Sequence, residues 1–235
     1  MSGNASLLQL FGELTSNVLA VETGLTSTPP MCRRISSLDC HALFSCSDSH
    51  RLQNIGRECT ILDIELSYSS LMAALRNGRR PAIFSTLKFP LERTRYYRNR
   101  CSRCAESFEG RRCLHCGRAL VMGSHDRLEI VADRREPSLP ADAPPFYELL
   151  PLAYVLADLL QLGIESKGVE NFYFRLIENL GSERHILIDA SYDDIAAVST
   201  PLIARSIVGQ RTESVRQRSL PIQSCKATQL SLSLS

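Results

Sequence analysis

The first 88 residues alternate short apolar runs with polar and helical stretches. Strand-like runs occupy residues 18–24, 41–50, 58–66 and 81–89. Between the third and fourth runs, residues 67–78 have the pattern of a helix, which Ser67 or Ser69 can cap and Asn77-Gly78 can end. Strands that alternate with helices predict an α/β layer or barrel in this part of the chain.

Residues 147–215 follow a helical period instead. Residues 147–163 carry apolar side chains all round, which predicts a well-buried helix. A second helix is predicted from 169 to its stop at Gly181, and one or two more over 191–211. Residues 185–189 (HILID) are interpreted as a short strand or extended link.

Two segments between and after these regions lack a core of their own. Residues 134–146 contain four prolines and are predicted to be a linker, and residues 216–235 are predicted to be a disordered tail. We therefore divide the chain into an α/β part (1–88), an Arg- and Cys-rich part (89–133), the linker, a helical domain (147–215) and the tail.

Composition narrows the class of protein. The hydrophobic fraction of 44% and the charged fraction of 22% are ordinary for a globular protein. No apolar run approaches the roughly 20 residues that span a bilayer, and the N-terminus lacks the pattern of a secretory signal. These features predict a cytoplasmic protein without a membrane partner, and they leave the oligomeric state open.

The net charge of +2 conceals a basic block. Residues 76–118 hold twelve Arg or Lys and three acidic residues, a net charge of +9, against −7 in the rest of the chain. Such a block is either a solvated face or the footprint of a polyanionic partner such as DNA.

Four of the nine cysteines form two CxxC pairs, Cys101/Cys104 and Cys113/Cys116. Two such turns bring four thiolates to one tetrahedral ion, and the ion would replace the core that residues 89–133 lack. A redox dithiol is the alternative, and His115 could take the place of one cysteine. The spacing predicts a closed, structural Zn²⁺ site without catalysis.

A second cluster, Ser47-Asp48-Ser49-His50, ends the strand-like run 41–50. An Asp and a His two residues apart on extended chain point the same way, so both can reach one metal ion. Taken alone, such a cluster is more often a polar turn.

The surrounding chain contains, in order, SLLQLFGELT (6–15), VETGLTSTPPM (21–31), SLDCHALFSCSDSH (37–50), GRE (56–58), ELSYSSLMAALRNG (65–78), the paired cysteines with CGRALVMG (116–123), DRLEIVADR (126–134), DAPPFYELLPL (142–152), SKGV (166–169) and ENLGSERHILID (178–189). In the order and near the spacing of these segments, from about residue 2 to about residue 210, the chain resembles the endonuclease Q family.

The resemblance implies a catalytic domain of the PHP type, a distorted α/β barrel around a metal cluster, followed by a zinc-binding domain and a helical domain. Such enzymes nick DNA 5′ of a deaminated base (hypoxanthine, uracil) or of an abasic site. The resemblance makes Asp48 and His50 catalytic ligands of Zn²⁺, Mg²⁺ or Mn²⁺, with Glu22 nearby. Predicted phosphate contacts are Arg57, Arg95, Arg98, Arg100, Arg103, Arg127 and Lys167.

The chain departs from the family at its start. None of its five histidines forms the HxH motif that opens a PHP domain, and the resemblance begins inside that domain. We therefore expect the C-terminal part of such an enzyme, with a partial barrel and little or no activity alone. Two alternatives stand beside it: a zinc-containing DNA-binding module without catalysis, and a PHP-type phosphatase, which the basic block disfavours.

Overall fold

The structure is a computed structural model that describes residues 6–217. Within these residues it contains five short strands and nine α-helices, which confirms the predicted mixed α/β class. The strands are β1 (Ala20–Glu22), β2 (Ala42–Phe44), β3 (Cys59–Leu62), β4 (Ile83–Lys88) and β5 (Phe146–Glu148). The helices are α1 (Leu7–Phe11), α2 (Pro29–Cys32), α3 (Tyr68–Asn77), α4 (Ser124–Val131), α5 (Leu152–Leu160), α6 (Lys167–Leu180), α7 (Glu183–Ile188), α8 (Tyr192–Val198) and α9 (Pro201–Gln217).

The strands form two small sheets. β1 and β2 pair in parallel, whereas β3, β4 and β5 form a second sheet in which β4 is antiparallel to β3 and parallel to β5. Among the described strands none links the two sheets, so a partial barrel remains a prediction. Because β5 lies beyond the proline-rich segment, the second sheet joins the α/β part to the helical part.

Helix α3 has the boundaries that its capping residues predict. The Ser67 hydroxyl accepts a hydrogen bond from the Ser70 amide at 3.1 Å, and Gly78 ends the helix in the left-handed region at φ 66°. A Cβ on Gly78 would lie 2.8 Å from the Cα of Ala42, so only glycine lets this helix end pack closely against β2.

The main hydrophobic core lies in the helical part. Buried side chains from α5 to α9 pack together with Leu87 of β4, and Cys59 and Ile61 of β3 pack against them. The helices therefore pack against the second sheet.

Two details of the helical part differ from the sequence-based expectation. Residues 185–189 are mainly helical rather than extended: α7 begins after Ser182, whose hydroxyl accepts from the His185 amide, and it buries Ile186 and Leu187. The helix predicted over 147–163 begins only at Leu152, because residues 146–148 pair with β4 as strand β5.

The proline-rich segment contains no helix and is attached by hydrogen bonds to the rest of the chain. The Arg134 amide donates to the Arg34 carbonyl, the Ser138 amide donates to the Arg33 carbonyl, and the Thr86 amide donates to the Pro145 carbonyl. The predicted disordered tail falls almost entirely outside the described residues. None of the helices in the described range is long and apolar enough to cross a membrane.

Candidate active site and metal centre

The Ser47–His50 turn lies at the carboxyl end of the β1–β2 sheet. β1 ends at Glu22 beside Phe44, the last residue of β2. Desolvation and, to a smaller extent, the negative charge of Glu22 raise the pKa of the Cys46 thiol at the start of the turn. Parallel strand ends thus bring Glu22 near the SDSH residues.

Both predicted ligands of this turn face solvent. Asp48 and His50 are exposed, and Asp48 has a left-handed backbone with φ 44°. The His50 Nδ1 lies 3.0 Å from the carbonyl oxygen of Asp48. Since a carbonyl can only accept, Nδ1 carries the proton and Nε2 keeps the lone pair that a metal ion would need.

The GRE segment (56–58) contacts the Ser47–His50 turn through a side-chain hydrogen bond. Gly56 has φ 77°, and the next residue, Arg57, donates from Nε to the carbonyl oxygen of Ser47 at 3.1 Å. The Nε of Arg57 thus supports the turn, and the phosphate contact predicted for Arg57 stays a prediction.

Beneath the turn lies a buried polar network that the sequence did not reveal. The Lys88 ammonium, with no exposed side-chain area, donates to the Thr23 hydroxyl at 3.2 Å and to the Ser45 hydroxyl at 2.9 Å. The Gly24 carbonyl oxygen and the equally buried Glu58 carboxylate also lie within hydrogen-bond distance of the ammonium, whose three N–H bonds are shared among the four acceptors. Burial lowers the pKa of Lys88, and the charge of Glu58 opposes that shift.

The remaining polar atoms of this network are also satisfied. The second oxygen of Glu58 accepts from the Phe89 amide at 3.0 Å, and the Thr23 and Ser45 hydroxyls are 2.8 Å apart. The sequence features that correspond to this network are a lysine at the end of an apolar strand and the glutamate of the GRE segment. These two residues lie thirty positions apart.

The four cysteines of the CxxC pairs converge. Their sulfur atoms all lie within 4.8 Å of one another, and Cys101 and Cys113 are buried. Each pair closes in the same way: the amide of Ala105 or Gly117, both with positive φ, donates to the carbonyl of the first cysteine. Two such turns facing each other form a tetrahedral thiolate site.

The electrostatics of this cluster suit a bound cation. The backbone N–H of Cys104 lowers the pKa of Cys101 to about 6, whereas the neighbouring sulfur of Cys116 contributes most to raising that of Cys104. Thiolates so close together repel one another unless a metal ion neutralises them. The predicted four-cysteine cluster is therefore confirmed as a group that can hold a metal ion. Among the described residues, no second group of three or more potential ligands is found.

The basic block is less uniform than its charge suggests. Within the block, Lys88 is buried. Three arginines of the block form ion pairs with carboxylates: Arg79 with Asp142, Arg93 with Asp158 and Arg98 with Glu92. Of the predicted phosphate contacts, Arg95, Arg103 and Lys167 are exposed, while Arg100 and Arg127 are half-buried. The surface charge that a polyanion would meet is thus below +9.

Comparison with known proteins supports the resemblance. Residues 151–214 match the family model described as the MJ0043 C-terminal domain. Curated relatives include the uncharacterized protein MJ0043 of Methanocaldococcus jannaschii, 26% identical over 202 residues, which cover 80% of this chain and 25% of that protein. Another is the uncharacterized protein YqxK of Bacillus subtilis, 28% identical over 212 residues, which cover 88% of this chain and 51% of that protein.

Two solved structures are similar over 90% of this chain, each with 27% identity. They are the lesion-specific endonuclease PfuEndoQ from Pyrococcus furiosus (TM-score 0.79) and endonuclease Q in complex with a 27-mer duplex substrate that has an abasic lesion at the active site (TM-score 0.80). The predicted resemblance to endonuclease Q is confirmed. The chain spans about half of these structures, 54% and 55% of their lengths.

Proposed function

We propose that this chain is part of a metal-dependent DNA-repair endonuclease that nicks DNA 5′ of deaminated bases or abasic sites. The observation that carries the proposal is the similarity to endonuclease Q over 90% of the chain, including a structure with lesion-containing duplex DNA. The four-cysteine cluster and the arginines around it suit such a partner better than a small metabolite.

In this proposal residues 1–88 are the C-terminal part of a PHP-type barrel, residues 89–133 are a zinc-binding domain, and residues 147–215 are a helical domain. The β4–β5 pairing attaches the helical domain directly to the first part, so residues 134–146 connect parts that already touch. Zn²⁺ in the four-cysteine cluster would fold the second part and present its arginines to phosphate.

Asp48 and His50 are proposed as catalytic metal ligands. A divalent ion such as Zn²⁺, Mg²⁺ or Mn²⁺ there would lower the pKa of a bound water and polarise the phosphodiester. The geometry suits this role, because His50 keeps Nε2 available and Asp48 is exposed on the same turn. Glu22, at the end of the neighbouring strand, would add a carboxylate close to the turn.

Two ligands do not hold a catalytic metal cluster firmly. Because the described residues offer no third ligand grouped with Asp48 and His50, we expect the chain alone to nick DNA weakly or not at all. The same observation favours one other function, a zinc-containing module that binds DNA without cleaving it.

One experiment separates these functions. The purified, zinc-loaded chain is incubated with duplex DNA that contains one deoxyinosine, deoxyuridine or abasic site, together with Mg²⁺ or Mn²⁺. A nick 5′ of the lesion that disappears in Asp48→Ala, but persists in Asp63→Ala, would support the endonuclease; Asp63 is a matched exposed carboxylate outside the turn. Salt-sensitive binding without a nick would mean that this chain by itself binds DNA without cleaving it, as a binding module or as the inactive part of such an enzyme, and neither nicking nor binding would refute both.

A further inference from the structure

The buried network beneath the turn connects four separate parts of the chain. Lys88 is the last residue of β4, and it contacts the residues that follow β1 and β2, Thr23 and Ser45. It also pairs with Glu58, which directly precedes β3. One ammonium group therefore helps to join the two sheets at the edge from which the turn begins.

A buried ion pair is a poor way to gain stability alone. Both charges lose their hydration, and apolar replacements of similar size are often as stable. Yet every oxygen that Lys88 contacts lies at a strand end, where the backbone direction into the next loop is set. This arrangement fits a requirement for precise geometry better than a requirement for stability.

The turn is held on both sides of Cys46. On one side, the Ser45 side chain contacts Lys88, while its amide donates to the Thr60 hydroxyl at 2.8 Å. On the other side, Arg57 holds the carbonyl of Ser47. Little freedom remains in the chain that leads to Asp48.

Asp48 itself adopts a conformation that non-glycine residues rarely use. Its φ of 44° lies in the left-handed region, which persists when the surroundings hold it. If the supports on Ser45 were removed, the turn could relax to an ordinary backbone conformation, and the His50 ring would lose its contact with the Asp48 carbonyl oxygen.

We propose that Lys88, together with Glu58, is a positioning residue that sets the conformation of the Ser47–His50 turn and thereby its affinity for a divalent metal ion. The metal part of this statement rests on the proposed function. Lys88 itself touches neither metal nor substrate, since its side chain has no exposed area.

The test uses the full chain with a double substitution, Lys88→Met/Glu58→Gln. Replacing Lys88 alone would leave an unpaired buried carboxylate and could unfold the protein. The double variant removes both charges, and the amide oxygen of the introduced glutamine can still accept a hydrogen bond from the Phe89 amide. The matched control is Ile83→Ala, at a fully buried apolar position in the same strand outside the network.

The first readout is amide hydrogen exchange without metal, compared at an equal temperature interval below each variant's Tm. In the double variant the amides of residues 45–51 should exchange on the order of tenfold faster than in the wild type, as the loss of one or two net hydrogen bonds would give. In Ile83→Ala they should keep the wild-type rate. Equal rates in the two variants would overturn the proposal.

The second readout is Mn²⁺ binding, measured by electron paramagnetic resonance. If the wild type binds Mn²⁺ and Asp48→Ala does not, the double variant should bind roughly tenfold more weakly. Unchanged affinity there would overturn the positioning role. No Mn²⁺ binding by the wild type would instead refute the metal role of the turn, and the exchange rates would still decide whether Lys88 sets its conformation.

Discussion

The close approach of α3 to β2 makes a quantitative prediction for Gly78→Ala. The alanine must adopt the left-handed conformation of the helix end, which costs about 1–2 kcal/mol for a non-glycine residue. Its Cβ would also lie 2.8 Å from the Cα and 3.0 Å from the Cβ of Ala42. Because the obstacle includes backbone, α3 and β2 must separate, and overpacking of this kind costs about 1–3 kcal/mol.

The expected loss is therefore about 3 kcal/mol in the free energy of unfolding, or a decrease in Tm of roughly 6–12 °C for a domain of this size. Gly56→Ala is the matched control, since Gly56 also has positive φ but nothing lies within 4 Å of its added Cβ. That variant should lose only the backbone cost, about 1–2 kcal/mol.

Thermal and urea unfolding, followed by circular dichroism, measure both variants under the same conditions. Equal losses for the two variants would refute the reasoning, because they would show that the left-handed backbone accounts for the whole effect and that α3 and β2 are not in tight contact. A loss at Gly78 that clearly exceeds the loss at Gly56 would support the tight packing of α3 against β2, the strand that precedes the Ser47–His50 turn.

Three further predictions concern metal, pH and DNA. Cys113→Ser should remove the bound zinc and speed amide exchange over residues 99–123 while the helical core keeps its protection; mass spectrometry and hydrogen exchange check this, and a variant that retains stoichiometric zinc would contradict it. The Tyr173 hydroxyl donates to Glu183 and its pKa is raised to about 12, mainly by burial, so the unfolded state loses this proton first and stability should fall as pH rises from about 10 to 12. Tyr173→Phe should flatten that part of the pH profile of Tm, and an unchanged slope would count against the shift. Arg103→Ala should weaken duplex binding and lower the salt slope by about one, whereas Arg93→Ala, at an arginine already in an ion pair, should change the slope less in a fluorescence anisotropy titration; equal effects would argue against the exposed arginines as the phosphate-binding groups.

The elements that were predicted well depend on short-range signals. The boundaries of α3 follow from a serine that accepts from an amide three residues on and from a glycine that tolerates positive φ. The cysteine cluster is equally local, because each CxxC turn closes through hydrogen bonds within five residues. Neither feature requires knowledge of the rest of the fold.

The errors in the helical part have a common physical cause. Residues 185–189 contain β-branched and apolar residues that suit a strand, but burial of Ile186 and Leu187 against the other helices favours α7. Residues 147 and 148 were predicted to be the start of a helix, yet β4 offers them an edge to pair with. In both places tertiary partners override local preference.

The candidate site also combines features that are set locally with features that depend on tertiary packing. The residue types and their spacing alone determined that Asp48 and His50 share a turn and that four cysteines can surround one ion. Only the tertiary structure decided that Lys88 is buried on Glu58 rather than exposed in a basic surface, and that several arginines of that block are already ion-paired. The reason is that chain direction and hydrogen bonds within a few residues are set locally, whereas the burial and pairing of a charge depend on which distant strands and loops pack around it.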